Sequence, residues 1–492
     1  MPIQPPYYPI VYVRGFSVSA AGDMENTVHD AYYGFAATAV QLRQGPPPDY
    51  FVADIFEGQL IRFMKEAHSY VDATNRGLDL AVAAPGLDPS RSIWISRFYD
   101  ADVYQGHVRN IAQHADDLRR LVCETIPAQL KARGVDLGPE DRDYRVILIA
   151  HSMGGLICRT LIQKALPDLG EDPQRWVHRL VTMGTPHGGI ELSAVPTTIK
   201  NLLGSIFNPF DVNTFNEPFM RTYLGLPPGE DTRSLAGAFP PTRCLCLIGS
   251  NYKAYTIVQH ATGSFSDGLV KQDRAYIKGA YYANVHKAHS GFEGIVNSQE
   301  SYENIRRFLF GDTKVDIALA NPRVPSAADP NATVFHDIEF RLSIRGSGVY
   351  LHRREQDPCE NAMRYELGKM PDLVPLHTAF LDRRLRDPGQ AYSHFAISLR
   401  VVEHRATRGF LGLFDREYPA RPIYAETLEI RIGDGSRDAP APTVEYRWLS
   451  ETAGWTAVEW VRGAFEIPLR TLTTSDAFQG TLRIVPSAWP QD

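Results

Sequence analysis

A mostly parallel α/β layer followed by an antiparallel β-sandwich is the fold class this sequence predicts, and three observations predict it. Up to about residue 311, short apolar runs alternate with longer helical patterns, as in a buried parallel sheet with crossover helices. Beyond about residue 332 the hydrophobic period becomes two, the pattern of strands with one buried face. Between them, residues 312–332 carry Pro322, Pro325 and Pro330 among small residues and read as a linker. The predicted domains are therefore 1–311 and 333–492.

In the first domain the strand candidates are Ile10 to Val13, Ile93 to Phe98, Tyr144 to Ala150, Leu180 to Met183, Cys244 to Ile248 and Tyr281 to Val285. Helical patterns fall at Phe56 to Tyr70, Gly106 to Arg133, Gly155 to Leu166 and Ser298 to Phe310. In the last of these Tyr302, Ile305 and Leu309 recur at helical spacing and Gly311 follows as a stop. Two long insertions interrupt the alternation, 16–91 and 190–240. The second places Leu192, Val195, Ile199, Leu202, Leu203 and Ile206 on one helical face, followed by Phe207, Phe210, Phe215 and Phe219. So much apolar surface with so few charges predicts either a cap over a pocket or a core helix of the domain. In the second domain Ile338, Phe340, Leu342 and Ile344 alternate with polar residues, as do Phe395, Ile397, Leu399 and Val401, and then Leu428, Ile430 and Ile432. Gly- and Pro-rich turns between such runs indicate a sandwich.

With 492 residues, 43% hydrophobic and 22% charged, the chain can bury a sizeable core and is not a disordered protein. Fifty-one basic against 57 acidic side chains give a formal charge of −6, so no global field favours a nucleic-acid partner. Met1 to Pro9 lack the cationic region and apolar run of a signal peptide, and no stretch reaches the roughly 18 apolar residues of a membrane span. A cytoplasmic location is expected, although export without a signal peptide would leave the same text. Cys123, Cys158, Cys244, Cys246 and Cys359 are few, odd in number and scattered, which suits reduced thiols.

The chemistry is concentrated where Arg145-Val-Ile-Leu-Ile-Ala150 runs into His151-Ser152-Met153-Gly154-Gly155 and then into an apolar helix. A serine between a buried strand and a helix N-terminus, with glycine two residues later, is the pattern of a nucleophile elbow. The turn presses neighbouring backbones together, so small residues are needed. The hydroxyl is left at the carboxyl edge of the sheet beside unpaired helix-start amides that favour developing negative charge.

On these residues the segment 9–311 resembles the α/β-hydrolase superfamily, and its lipase and esterase branch most closely. Its elbow departs from G-x-S-x-G only by Ala150 in the first place, a residue small enough to fit. Thr182-Met-Gly184-Thr185-Pro186-His187-Gly188-Gly189 is also similar to that branch. The resemblance implies a serine, acid, histidine order along the chain. It makes Ser152 the nucleophile, Asp267 in Ser266-Asp267-Gly268-Leu269-Val270 the orienting carboxylate, and His289 in Ala288-His289-Ser290-Gly291 the general base. His286 is an alternative base and Asp273 an alternative acid. His187 precedes the acid and breaks the order. The oxyanion hole is expected from the amides of Met153 and Phe16.

Arg14 stands where lipases place histidine, in Arg14-Gly15-Phe16. As a fixed cation near the mouth it is a candidate for binding an anionic substrate group, or it pairs with an internal acid such as Asp23 or Glu25. His151, beside the nucleophile, is the other candidate for substrate contact. Related bacterial lipases often carry calcium on an acidic residue two places after the catalytic histidine; here that place is Gly291, so no such metal is expected. No metal-ligand spacing, phosphate cradle or dinucleotide fingerprint is present either, and no cofactor is expected.

The resulting expectation is a serine hydrolase of carboxylic esters, lipidic ones above all, working through an acyl-enzyme. Its partners would be a small-molecule or lipid ester and, transiently, a lipid surface. An acyltransferase on the same fold and a non-catalytic scaffold are the alternatives.

Overall fold

The computed structural model describes the chain apart from residues 16–26, 37–38, 45–50, 67–68, 76, 80–86, 106–108, 191–214, 255–263, 325–331, 408–415, 418–420, 435–441, 453, 471–477 and 491–492. The described chain divides into two compact units, residues 1–282 with 287–305, and residues 306–491 with the short segment 283–286.

The first unit is built on a sheet whose strands, in chain order, include β1 (Ile10–Val13), a hairpin of β2 (Ala39–Gln44) and β3 (Phe51–Phe56) outside the sheet, then β4 (Val71–Asp72), β5 (Ser92–Ile95), β6 (Val146–His151), β7 (Val177–Met183), β8 (Cys244–Gly249) and β9 (Tyr281–Val285). The spatial order is β4-β5-β1-β6-β7-β8-β9, and the pairings from β4 through β8 are parallel. Every residue of β1, β5, β6, β7 and β8 is buried. That explains why they read as mostly apolar runs rather than as alternating ones, with Ser92 of β5 and His178, Arg179 and Thr182 of β7 among the buried polar exceptions. The two-residue β4 lies inside the predicted insertion 16–91, and is too short to show a period. The chain runs outward from β1 to the edge at β4, returns through β5, and crosses β1 to β6. In open α/β sheets ligands bind beside such a reversal, outside the carboxyl ends of the strands.

Helices cover this sheet: α1 (Gln59–Lys65), α2 (Phe98–Gln105), α3 (Ile111–Arg120), α4 (Ile126–Ala132), α5 (Met153–Thr160), α6 (Glu217–Tyr223) and α7 (Gln299–Phe310). The helix predicted from Gly106 begins at Ile111 instead. There Asn110 accepts from the Gln113 amide while the Gln113 side chain accepts from the Asn110 amide, a reciprocal cap that fixes the start. Between α3 and α4 the chain continues through one wide turn, Leu121–Thr125, so that Pro127 sits at the first turn of α4 without breaking the run. The apolar stretch Leu192 to Ile206, proposed above as a cap, lies outside the described residues, as do Phe207 and Phe210. Of the same insertion, Phe215 is buried and Phe219, on α6, is exposed.

The second unit consists of two antiparallel sheets that share one core. One is five-stranded, running in order through Leu373–Leu381, Thr313–Arg323, Gln479–Ala488, Ala464–Pro468 and Trp460–Val461; the other has the long strands Ala332–Ile344, Tyr392–Thr407 and Arg421–Gly433 at its centre. Val315, Ile317 and Leu319 from the first sheet and Ile338, Phe340, Leu342, Ile397 and Leu399 from the second all face that core. The unit is a β-sandwich. Thr313–Arg323 corrects the reading of 312–332 as linker. Its alternation Val315, Ile317, Leu319 has period two and was outweighed by the prolines. Of these Pro322 stands next to the strand's last residue, and Pro325 and Pro330 fall outside the described residues.

All five cysteines are free thiols. No helix among the described residues is long and apolar enough to cross a membrane.

Each unit contains a fully buried histidine held neutral. Burial pushes the His178 imidazole down to about 2, helped by Arg179 next to it. Burial likewise holds His352 well below the ordinary histidine range, with His377 adding to the effect. Unfolding lets both rings return to about 6.5. Below that pH the unfolded chain binds protons that the folded chain refuses, so stability is complete above about pH 6.5 and falls as the pH drops, by about 1.4 kcal/mol per pH unit per histidine. Denaturant melts at pH 7, 6, 5 and 4 are expected to show a steady fall in midpoint, and replacing His178 with Phe or Leu is expected to make that fall shallower while leaving the part due to His352. A midpoint constant over that range would contradict this account.

Candidate active site

Strand β6 ends at His151, and the next residue, Ser152, takes φ 52° and ψ −127° before α5 begins. A side chain rarely adopts this conformation, and it is imposed from several sides. The Ser152 amide donates to the Met183 carbonyl at 2.9 Å, and the Ser152 carbonyl accepts from the Gly155 amide at 3.0 Å and from the Thr185 hydroxyl at 2.9 Å. Glycines clear the surrounding space. A Cβ on Gly154 would come within 2.2 Å of the Val13 carbonyl, one on Gly155 within 2.2 Å of Thr185 Oγ1, and one on Gly15 within 2.6 Å of Ser152 Cβ. The Met-Gly-Gly sequence is thus required by close approach of α5 to the ends of β1 and β7.

Asp267 and His289 come to the same rim. Asp267 Oδ1 accepts from the amides of Leu269 (3.0 Å) and Val270 (2.7 Å), which leaves Oδ2 for His289 Nδ1 at 2.8 Å. His289 Nε2 lies 3.0 Å from Ser152 Oγ. The loops carrying Asp267 and His289 are joined by the His289 amide donating to the Asp267 carbonyl at 2.8 Å. Asp267 and His289 are buried, and Ser152 retains 7% exposure. Since a carboxylate only accepts, His289 carries its proton on Nδ1 and presents a bare Nε2 to the serine hydroxyl.

Met153, as the first residue of α5, has an amide with no intrahelical acceptor. Phe16 lies outside the described residues, but Gly15 before it is anchored, its carbonyl accepting from the buried Tyr99 hydroxyl of α2 at 3.2 Å. Arg14 turns toward the 27–36 segment, Nη1 donating to the Tyr33 carbonyl at 2.5 Å; Asp23 and Glu25 are outside the described residues. His151 is buried, its Nε2 2.9 Å from the His289 carbonyl.

The alternative bases and acid lie elsewhere. His187 is buried with Nε2 3.0 Å from Thr182 Oγ1, and its carbonyl accepts from the fully buried Arg159. His286 faces the Cys359 thiol at 3.6 Å. Asp273 lies in a helical turn where its backbone carbonyl accepts from Arg233. Among the described residues, no three His, Cys, Asp or Glu side chains gather as a metal-ligand set.

Residues 91–221, from β5 through the elbow to α6, match the family model for palmitoyl protein thioesterase. The parallel sheet of this unit, with its flanking helices, has the α/β-hydrolase fold. Among solved structures the chain is similar to a lipase of Bacillus licheniformis (14% identity, 62% of this chain and 93% of that one, TM-score 0.32). It is similar also to phospholipase PlaB of Legionella pneumophila (12% identity, 80% and 86%, TM-score 0.35) and to a metagenomic carboxyl esterase (11% identity, 59% and 66%, TM-score 0.29). Comparison with curated proteins finds no match.

Two residues of the first unit were not singled out in the sequence. Gly184, at φ 55°, lies against the acid–base pair: a Cβ there would stand 2.9 Å from Asp267 Oδ2 and 3.2 Å from His289 Nδ1. Gln59 of α1 is fully buried and donates to the Val296 carbonyl at 2.7 Å, tying α1 to the loop beyond His289. Glycine after a strand was a visible signal for the first; nothing local marks the second. Gly184→Ala is expected to push the carboxylate off the imidazole and to strain the backbone. Turnover should fall at least tenfold and the protein should lose about 1–3 kcal/mol of stability. Ester hydrolysis assayed beside a thermal melt checks both; near-native turnover would show that the pair tolerates the methyl group.

Proposed function

We propose that the chain is a serine hydrolase that cleaves carboxylic ester bonds of lipid-like acyl groups through an acyl-enzyme. The observation that carries this reading is the unbroken contact path Ser152 Oγ to His289 Nε2 (3.0 Å) and His289 Nδ1 to Asp267 Oδ2 (2.8 Å) at the carboxyl rim of the sheet. His289 removes the hydroxyl proton as Ser152 attacks the carbonyl, and Asp267 stabilises the imidazolium without taking its proton. The Met153 amide, with that of Phe16 as partner, would hold the tetrahedral oxyanion, aided by the start of α5. His289 then protonates the leaving alcohol. Water activated by the same imidazole completes the cycle.

The apolar run Leu192 to Phe219 supports long acyl chains over small polar esters. The description of the family model, palmitoyl protein thioesterase, adds a second leaving group, because a thioester needs the same nucleophile and oxyanion donors. p-Nitrophenyl esters of graded chain length, assayed beside the matching acyl thioesters, test the proposal. The expected result is hydrolysis rising with chain length, together with covalent labelling of Ser152 by a fluorophosphonate. No hydrolysis of either series and no labelling would overturn it. Transfer of the acyl group to added alcohols in preference to water would replace it with the acyltransferase reading.

A further inference from the structure

His151 is the last residue of β6, directly before the nucleophile, and makes a contact that neither nucleophile nor base can make for itself. Its Nε2 lies 2.9 Å from the backbone carbonyl of His289, and the two rings pack with centroids 4.9 Å apart. A carbonyl can only accept, so the His151 imidazole donates from Nε2. The other side of the ring is backed by the loop after β1, where a Cβ on Gly15 would come within 3.2 Å of His151 Nδ1. The side chain is buried. On the far side of His289, the amide donates to the Asp267 carbonyl at 2.8 Å. The base is therefore held at its N–H by the acid's loop and at its carbonyl by the residue covalently joined to the nucleophile.

We infer that His151 is a positioning residue: as a neutral Nε2–H donor to the His289 carbonyl, it sets the separation between the Ser152 hydroxyl and the His289 imidazole. The inference rests on the serine hydrolase reading above and adds to it the part that fixes its most distance-sensitive contact. Proton transfer requires Nε2 within hydrogen-bond reach of Oγ, and a misplacement of about 1 Å lowers turnover about 100-fold. Both ends of the tie are buried. Burial holds the His151 ring well below the ordinary histidine range, and the neighbouring His289 and Arg14 add to this. The His151 ring therefore brings no positive charge of its own against the imidazolium that forms on His289 during the reaction.

The test compares the full-length wild type with His151→Gln, which can present an amide N–H at the reach of Nε2, and with His151→Leu, which fills the space without a donor. With a p-nitrophenyl ester, His151→Leu is expected to lower kcat roughly 10- to 100-fold while KM stays within about twofold, and to slow fluorophosphonate labelling of Ser152 in proportion. His151→Gln should restore kcat and labelling to within about threefold of wild type. If His151→Leu does not fold, His151→Met gives the same comparison with a more adaptable side chain. Equal losses in the Gln and the apolar variants would overturn the positioning role, as would a raised KM with unchanged kcat, which would place His151 on the substrate. Failure of the wild type itself to be labelled would instead remove the hydrolase reading, and the positioning role with it.

Discussion

Replacing Ser152 by glycine is expected to abolish ester hydrolysis and at the same time to raise the melting temperature. The first effect follows from the proposed mechanism: without the hydroxyl there is no nucleophile for the His289 imidazole to activate, and losses of about 10⁴- to 10⁶-fold in turnover are expected for a group acting as one unit with its base. The second follows from the backbone. Ser152 is held at φ 52° and ψ −127° by bonds from Met183, Gly155 and Thr185. Such a conformation strains a residue with a Cβ by about 1–3 kcal/mol, and glycine adopts it freely. The greater freedom of glycine in the unfolded chain offsets part of this, leaving a gain of about 1 kcal/mol. Ser152→Ala separates the two effects, since it removes the hydroxyl and keeps the Cβ. Alanine should be as inactive as glycine and melt below it. More than a tenth of wild-type activity in either variant would remove Ser152 from the mechanism, and a glycine variant that melts below alanine would remove the strain.

Asp267→Asn should be nearly as inactive as loss of the nucleophile while leaving the fold unchanged. The oxygen Oδ1 serves the amides of Leu269 and Val270. An asparagine would keep its carbonyl there and turn its NH₂ toward His289 Nδ1. Two donors cannot face each other, so the imidazole would move its proton to Nε2 and point a donor, not an acceptor, at Ser152. The base would be lost by tautomer alone, and a fall of about 10⁴-fold in kcat is expected. Asp267→Ala should lose the turn 267–270 as well and show it in a lower melting temperature. An Asn variant keeping a tenth of wild-type turnover would show that the histidine is oriented by something else.

The parts of this protein that the sequence revealed are those whose cause is local. Strands buried on both faces are mostly apolar, so β1, β6, β8 and the Leu180–Met183 end of β7 stood out, and the elbow was legible because a strand, a serine and two glycines meet within six residues. Asp267 and His289 were reached through resemblance and chain order, not through any pattern of their own. Elements whose reason is distant stayed hidden. The two residues of β4 are a strand only because Ser92 and Ile93 lie beside them. Thr313–Arg323 is a strand because Gln479–Ala488, more than 150 residues later, pairs along it, whereas its neighbourhood of prolines argued for a linker. Gly184 and Gln59 act across sequence gaps of the same kind.

The bonds that hold the elbow and its base are mostly main-chain bonds crossing from one strand end or loop to the next: Ser152 to Met183, Gly184 to Leu247, His289 to Asp267. Amides locked in this way give up their hydrogens to solvent only when the strands themselves part. On this account the described amides of this rim open together with the strands and not before them. Heat or denaturant should extinguish turnover and far-ultraviolet ellipticity of this domain along a single curve.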